Sequence, residues 1–330
     1  MEMIKVPQDV NLKQIYIDIH CIGRNPQGEG IIFIIRKNDY IIFSASIDGN
    51  ADERFLKDEG IDKFNLVCWT HPHDDHSIGI KKILKNHVQK NTKIIVPNGI
   101  YDAKKYMTHM CKSVYKPIKV LNKNGKNRDG EYVEVNQYSI LQDDVYVDEE
   151  GKKLKLKIEV LSPISKRINN IRNNKKINLN ELSICLLISV NDVCFLFTSD
   201  IYNNIINDMN LNIEKCRRII FYKIPHHGSD RSDALLKSIP QSQLNRIAVS
   251  TIFKVNGQDK TPNKNLLDKY IEKGINVFCT SESYIKNSKK EFDYGIVSIR
   301  IKLENLNQEE SLDWDIRLTG EATQIEQYNN

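Results

Sequence analysis

The chain has no apolar run near the ~20 residues needed to cross a bilayer, so no membrane-spanning helix is expected. Met1 to Val10 mixes Lys5 with acidic and polar residues and holds no apolar stretch followed by small ones, so no secretory leader is expected and the cytoplasm is the default location. Its seven cysteines are odd in number, scattered, and free of any Cys-x-x-Cys pair, which argues against a disulfide framework and a zinc ribbon alike. A dominant sign of charge is lacking too: 48 basic against 43 acidic residues leave a net +5, too slight to diagnose a nucleic-acid binder. The basic stretches 123–128 and 166–176 are read first as products of a Lys- and Asn-rich composition. No internal repeat and no linker divides the 330 residues, whose 40% hydrophobic and 28% charged content is that of an ordinary globular protein.

What the chain does have is a succession of short runs rich in Ile, Val and Phe, such as 15–20, 30–36, 40–47, 65–70, 154–161, 183–190, 193–198 and 218–224. Helical patterns fall between several of them, at 78–89, 101–111, 202–209, 233–238 and 263–273. Buried strands alternating with helices point to α/β layers. The Asn- and Lys-rich segment 165–180 reads as a loop, and the acidic, polar 305–330 as an extension to a single catalytic domain over 1–304, with Trp314 and Ile316 able to dock on the body.

Eight histidines are present, and five of them lie in two short segments that each follow a strand-like run. The first segment is Thr70-His71-Pro72-His73-Asp74-Asp75-His76. In an extended chain residues two apart point the same way, so His71 and His73 can converge on one metal ion while the turn aims Asp75 and His76 at another. The second is Pro225-His226-His227-Gly228-Ser229, and strand ends are where open α/β sheets place ligands. A third strand-like run ends in Thr198-Ser199-Asp200, whose carboxylate either bridges two cations or caps the next helix. Asp48, after the run 40–47, carries the same ambiguity.

Taken in order, Ile47-Asp48-Gly49, His71 to His76, Thr198-Ser199-Asp200 and Pro225 to Ser229 resemble the motifs of the metallo-β-lactamase superfamily. Within it, Pro225 to Ser229, the preceding Val160-Leu161-Ser162-Pro163, and Asn180-x-x-Ser183 before an apolar strand are similar to the hydrolase domain of ComEC-type DNA-internalisation competence proteins. The likeness spans about residues 15 to 300. It implies an α/β fold of four layers, the αβ/βα sandwich with two sheets inside and helices outside. It also implies two divalent metal ions, Zn²⁺ or Mn²⁺, on His71, His73, Asp75, His76, Asp200 and one of the 226/227 pair, of which His227 is preferred. Asp48 would stand behind the ligands and orient an imidazole. Asn180 would sit near the position where many superfamily members carry a further histidine, which this chain lacks. His226, Ser229 or Lys260 would steady developing charge.

The activity so implied is phosphodiester hydrolysis, with a hydroxide bridging the two ions as the attacking group and DNA as the favoured substrate. Lys166, Arg167, Arg172, Lys175 and Lys176 are the candidate backbone contacts. A phosphodiesterase for a small nucleotide or phosphocholine-like molecule is the alternative enzyme, since one metal core serves many substrates. A metal-binding scaffold subunit, with partner subunits in a larger assembly, is the alternative outside enzymes.

Overall fold

A computed structural model describes residues 1–24, 28–123, 130–173, 178–209, 211, 216–240, 245–255, 258–281, 294–303 and 313–326. Two mixed sheets dominate it. One has eight strands, in the order β18 (Trp314–Gly320), β17 (Tyr294–Leu303), β2 (Ile15–Arg24), β3 (Gly28–Lys37), β4 (Tyr40–Asp48), β5 (Leu66–Cys68), β6 (Lys93–Pro97) and β7 (Glu131–Val135). The other has nine: β1 (Glu2–Lys5), β8 (Ile140–Val147), β9 (Lys153–Ser162), β10 (Cys185–Val190), β11 (Val193–Phe197), β12 (Ile219–Lys223), β13 (Arg246–Ser250), β16 (Ile275–Cys279) and β19 (Thr323–Ile325). A small ribbon pairs β14 (Phe253–Val255) with β15 (Gln258–Thr261).

The two sheets are built alike. In the first, β2, β3 and β4 run antiparallel and β4, β5, β6 and β7 parallel. In the second, β8 to β11 run antiparallel and β11, β12, β13 and β16 parallel. Parallel neighbours need crossovers, and helices on the outer faces supply them. These include α1 (Glu53–Asp58), α2 (Asp74–Ser77), α3 (Ile80–Asn86), α4 (Ile100–Ala103) and α5 (His109–Lys123) on the first sheet. α6 (Ser165–Asn173) packs against α4, with Ile171 in the same apolar cluster, and beside the second sheet lie α7 (Asn203–Asp208), α8 (Ala234–Ser238) and α9 (Lys264–Glu272).

Side chains alternate across each strand, and three apolar layers result. Ile17, Ile19, Phe33 and Ile35 meet Leu156, Ile158, Phe195 and Phe197 between the sheets, with the Phe33 and Phe195 rings 5.5 Å apart. Ile32, Ile34 and Trp69 face the other way, onto Ile83, Val114 and Ile118 of the helices. Leu187, Leu196 and Tyr222 do the same on the far side, against Leu235 and Tyr270. The chain therefore has the helix–sheet–sheet–helix order of the metallo-β-lactamase fold. All seven cysteines are buried and none is in a disulfide. Among the described residues no helix is long and apolar enough to cross a membrane.

Three segments differ from the sequence reading. Residues 101–111 are not one helix: α4 and a 3-10 turn end at Tyr106, and α5 starts afresh after Thr108, whose Oγ1 accepts the Cys111 amide proton. Pro117, a residue that argues against a helix interior, sits inside α5. The pattern 78–89 is helical only over Ile80–Asn86, entered through Gly79 in a left-handed conformation (φ 82°). The supposed loop 165–180 begins with α6, which buries Ile168 and Ile171, and ends in a 3-10 turn over Leu179–Leu182. Beyond residue 304, β18 pairs with β17 and β19 with β16, and Trp314 and Ile316 pack on the inner core.

On the outer face of β2, His20 is 4% exposed, with Nδ1 2.9 Å from Ser298 Oγ. Burial, against the pull of Asp18 and with help from Arg36, pushes its imidazole down to about 4. The unfolded chain binds this proton near 6.5, so His20 makes the fold lose stability as pH falls from about 6.5 towards 4, by about 3 kcal/mol in all. Chemical denaturation at several pH values should show a shallower acid dependence over that window for His20→Gln than for the wild type. Parallel curves would refute the assignment.

Candidate metal centre

The carboxyl ends of the parallel strands of both sheets point to one place. From the first sheet come Asp48 at the end of β4 and the loop from Thr70 to His76 after β5. From the second come Asp200 after β11, His226 and His227 after β12, and Thr251 after β13. Left-handed backbone turns deliver several of them: φ is 58° at Asp48, 48° at Ser199, 48° at His226 and 52° at His227. Non-glycine residues adopt such values only when the surroundings impose them. The His226 amide donates to Ser199 O at 2.9 Å, which joins two loops of the second sheet, and the Ile184 amide donates to Thr70 O at 3.0 Å, which ties the two sheets together. Close backbone contact seats the histidine loop, since a Cβ on Gly49 would strike the backbone of Ile78 and Ile80, and one on Gly28 that of Asp75.

Among the described residues, two of the donor sets with ligand atoms within 4.8 Å of one another contain Asp200. One is His71, His73 and Asp200; the other is Asp75, His76, Asp200 and His227. His71 Nε2 lies 3.0 Å from His73 Nδ1 and 3.8 Å from Asp200 Oδ2. His76 Nε2 is 3.3 Å from Asp75 Oδ2 and 3.4 Å from Asp200 Oδ2, yet neither contact is aligned as a hydrogen bond. His227 Nε2 is 3.2 Å from Asp75 Oδ2 and 3.6 Å from Asp200 Oδ2. His226 Nε2 is 3.8 Å from the same Asp200 oxygen, with its ring edge-on to Tyr202. His76 Nε2 and Asp200 Oδ1 are buried without a hydrogen-bond partner, which polar atoms avoid unless something else satisfies them. Imidazole nitrogens and carboxylate oxygens gathered at one point fit divalent cations.

The electrostatics agree with that fit. Burial opposes charge on Asp200 and Asp75, but His227 and His76 outweigh it and hold both carboxyls well below the ordinary range. Burial likewise opposes charge on His76 and His227, and the surrounding carboxylates still raise both well above the usual imidazole value. His71, His73 and His226 are lowered, chiefly by burial.

Behind the donors stand groups that fix ring orientation. Asp48 Oδ2 is 2.7 Å from His76 Nδ1, and Asp48 also accepts the Thr70 amide and hydroxyl. Glu29 was missed as a site residue by sequence reasoning. Its Oε2 lies 3.3 Å from His227 Nδ1 and 3.1 Å from Lys223 Nζ, and it accepts a hydrogen bond from Thr251, whose Oγ1 is 2.8 Å from His227 Nδ1. Lys223 is wholly buried and Glu29 is 3% exposed at its side chain. The signal was present as a lysine inside the apolar run 218–224, a position that only a buried counter-charge explains.

The remaining candidates are placed as follows. Asn180, 2% exposed, donates to the Tyr202 hydroxyl at 2.8 Å, and its Oδ1 has no partner. Ser229 caps the short turn over Asp230–Ser232, accepting the Arg231 amide. Lys260 lies on β15, with its side chain outside the described residues. Arg167 pairs with Asp208 at 2.8 Å, and Arg172 with Asp102 at 3.0 Å. Lys166 is exposed on α6, and Lys175 and Lys176 lie outside the described residues. His87 is held by Glu53 and the Asp62 carbonyl, apart from the two donor sets.

No family model matches the sequence, and no curated protein matches it. Solved structures similar to the chain include a Parabacteroides distasonis protein described as a metal-dependent hydrolase, at 13% identity over 76% of this chain and 93% of that one, with a TM-score of 0.39. A diphosphatase of the PhnP family is 13% identical over 71% of this chain and 85% of its own, with a TM-score of 0.38. The metallo-β-lactamase-fold protein YhfI of Bacillus subtilis is 12% identical over 74% of each chain, with a TM-score of 0.34.

Removing one member of a buried ion pair strands the other charge, at a cost of about 3–5 kcal/mol. Lys223→Met should destabilise the protein by that order in denaturant titrations, and Lys223→Met with Glu29→Gln should recover most of the loss. If the double variant is as unstable as the single one, the pair does not balance itself as described.

Proposed function

We propose that the protein is a metal-dependent phosphodiester hydrolase with DNA as its favoured substrate. One observation carries the reading: two donor sets, one of two imidazoles and one of two imidazoles and a carboxylate, share Asp200. Hydrolysis of a phosphodiester by paired cations calls for sites about 3.5–4 Å apart, and a common carboxylate is the simplest way to hold them so. Divalent ions bound there supply Lewis acidity, neutralising anionic oxygens and acidifying water. The preference for DNA rests on the resemblance of the motifs to the ComEC-type domain.

The chain's own groups do the holding and the orienting. His71 and His73, with Asp200, would take one ion; Asp75, His76 and His227, with Asp200, the other. Asp48 and Glu29 keep Nδ1 of His76 and of His227 engaged, so that each Nε2 faces the centre. His226, 23% exposed at its side chain, stands at the rim beside Tyr202, where it can donate a hydrogen bond to a phosphoryl oxygen. Phe253 stacks on His227 at 5.2 Å and walls the other side.

Wild-type protein given linear and circular, single- and double-stranded DNA with Mn²⁺, Mg²⁺ or Zn²⁺ should cut at least one of them, and Asp75→Ala should not. His226→Ala should keep its metal and lose roughly 100-fold in kcat, the scale of one lost hydrogen-bond donor. Retained metal with no cleavage of any DNA would defeat the nuclease assignment and direct the search to small phosphodiesters. Loss of metal in His73→Ala with no change in any hydrolytic assay would favour a scaffold.

A further inference from the structure

The small net charge hides a concentration. Residues 103–128 hold eight lysines and arginines and not one Asp or Glu, in a chain whose whole excess is +5. On α5, Lys112, Lys116 and Lys119 follow at spacings of four and three, which puts them on one flank, while Cys111, Val114, Tyr115 and Ile118 are buried. An open groove between this flank, the turn 100–106 and α6 is lined by Tyr101, Asp102, Lys104, Lys105, Lys112 and Arg172. Among the described residues that line it the one acid is Asp102, which pairs with Arg172 at 3.0 Å. Tyr101 is 63% exposed in the midst of these cations, with Lys119 Nζ 5.3 Å from its ring centre. The start of α5, which carries Lys112, is tied to the histidine loop: Thr108 donates to Asp74, the neighbour of Asp75, and Cys111 Sγ donates to the Pro72 carbonyl at 3.1 Å.

We propose that this groove is the track by which a single-stranded nucleic acid reaches the metal centre, with phosphates on Lys104, Lys105 and Lys112 and an unpaired base stacked on Tyr101. The cations alone would suit any polyanion. The exposed ring among them singles out an unpaired strand, because a duplex keeps its base faces to itself. The inference rests on the phosphodiesterase reading only in saying what the track is for.

The test uses metal-loaded protein and a fluorescent 20-nucleotide phosphorothioate strand, alone and as a duplex, read by anisotropy across a salt series. Wild type should bind the single strand more tightly than the duplex. Lys104→Glu/Lys105→Glu/Lys112→Glu should bind it at least 10-fold more weakly, with a slope of log affinity against log salt shallower by about 2, at ~0.7 per phosphate contact. Tyr101→Ala should cost roughly 5-fold to 100-fold. Turnover of bis(p-nitrophenyl) phosphate, too small to use the groove, should persist in both variants and show that they are folded. Unchanged strand binding in the triple variant, or a wild type that binds no strand, overturns the track. Equal binding of the duplex, or no effect of Tyr101→Ala, overturns the single-strand assignment. Strand binding that depends on the lysines, without turnover of the small diester even by wild type, keeps the track and fails the hydrolase reading.

Discussion

One carboxylate oxygen, Oδ2 of Asp200, lies 3.4 to 3.8 Å from nitrogens of four imidazoles: His76, His227, His71 and His226. These rings come from loops on two different sheets, so this contact is what the relative placement of the sheets has to satisfy. Two of the four, His76 and His227, are raised well above the usual imidazole value, against burial, by the negative charge around them. Asp200 supplies it at the centre, Asp75 at the mouth, and Asp48 and Glu29 behind. Glu29 would leave the rear of the site over-charged but for Lys223, 3.1 Å away and wholly buried. The polar interior thus continues a full layer beyond the ligand atoms, and each layer answers the charge of the one in front.

Such an arrangement is costly in backbone terms. Asp48, Ser199, His226 and His227 all turn through left-handed conformations, which cost of order 1–3 kcal/mol each for a residue with a side chain. The cost is carried by the strands that lead into the turns. β4, β11 and β12 are buried along their ends on both faces, in the inner core and in the two outer ones. Fixed strand ends leave the loops little freedom, and the short hydrogen bonds between the loops remove what is left. The near-equivalent build of the two sheets makes the geometry economical, since each presents its parallel strand ends to the same cleft.

How much of this was legible in the sequence follows from the range of the interactions. Strands such as 30–36 and 193–198 stand out because both faces are apolar, and the histidine loop because its donors are spaced locally along the chain. The four-layer order and the ligand set follow from a resemblance of ordered motifs. Glu29 escaped because its meaning lies entirely in tertiary contacts, with Lys223, His227 and Thr251 drawn from β12 and the loops after β12 and β13. The helix over Ser165–Asn173 escaped because its buried positions are only Ile168 and Ile171 among polar neighbours. The break near Thr108 depends on a cap and a contact to Asp74 that no local pattern announces.

The charges divide the work by distance. Inside the cleft carboxylates and imidazoles sit within 4 Å of each other and out of water, where salt screens them little. Outside, Lys104 and Lys105 are exposed, and their reach fades over about 8 Å at physiological salt. On the reading proposed above, holding cations would fall to the buried set and be nearly indifferent to ionic strength, whereas gathering an anionic strand would fall to the exposed set and weaken with added salt. Both sets occur here, meeting at the Thr108–Asp74 contact, and the combination suits chemistry on a substrate whose charge must be both attracted and neutralised.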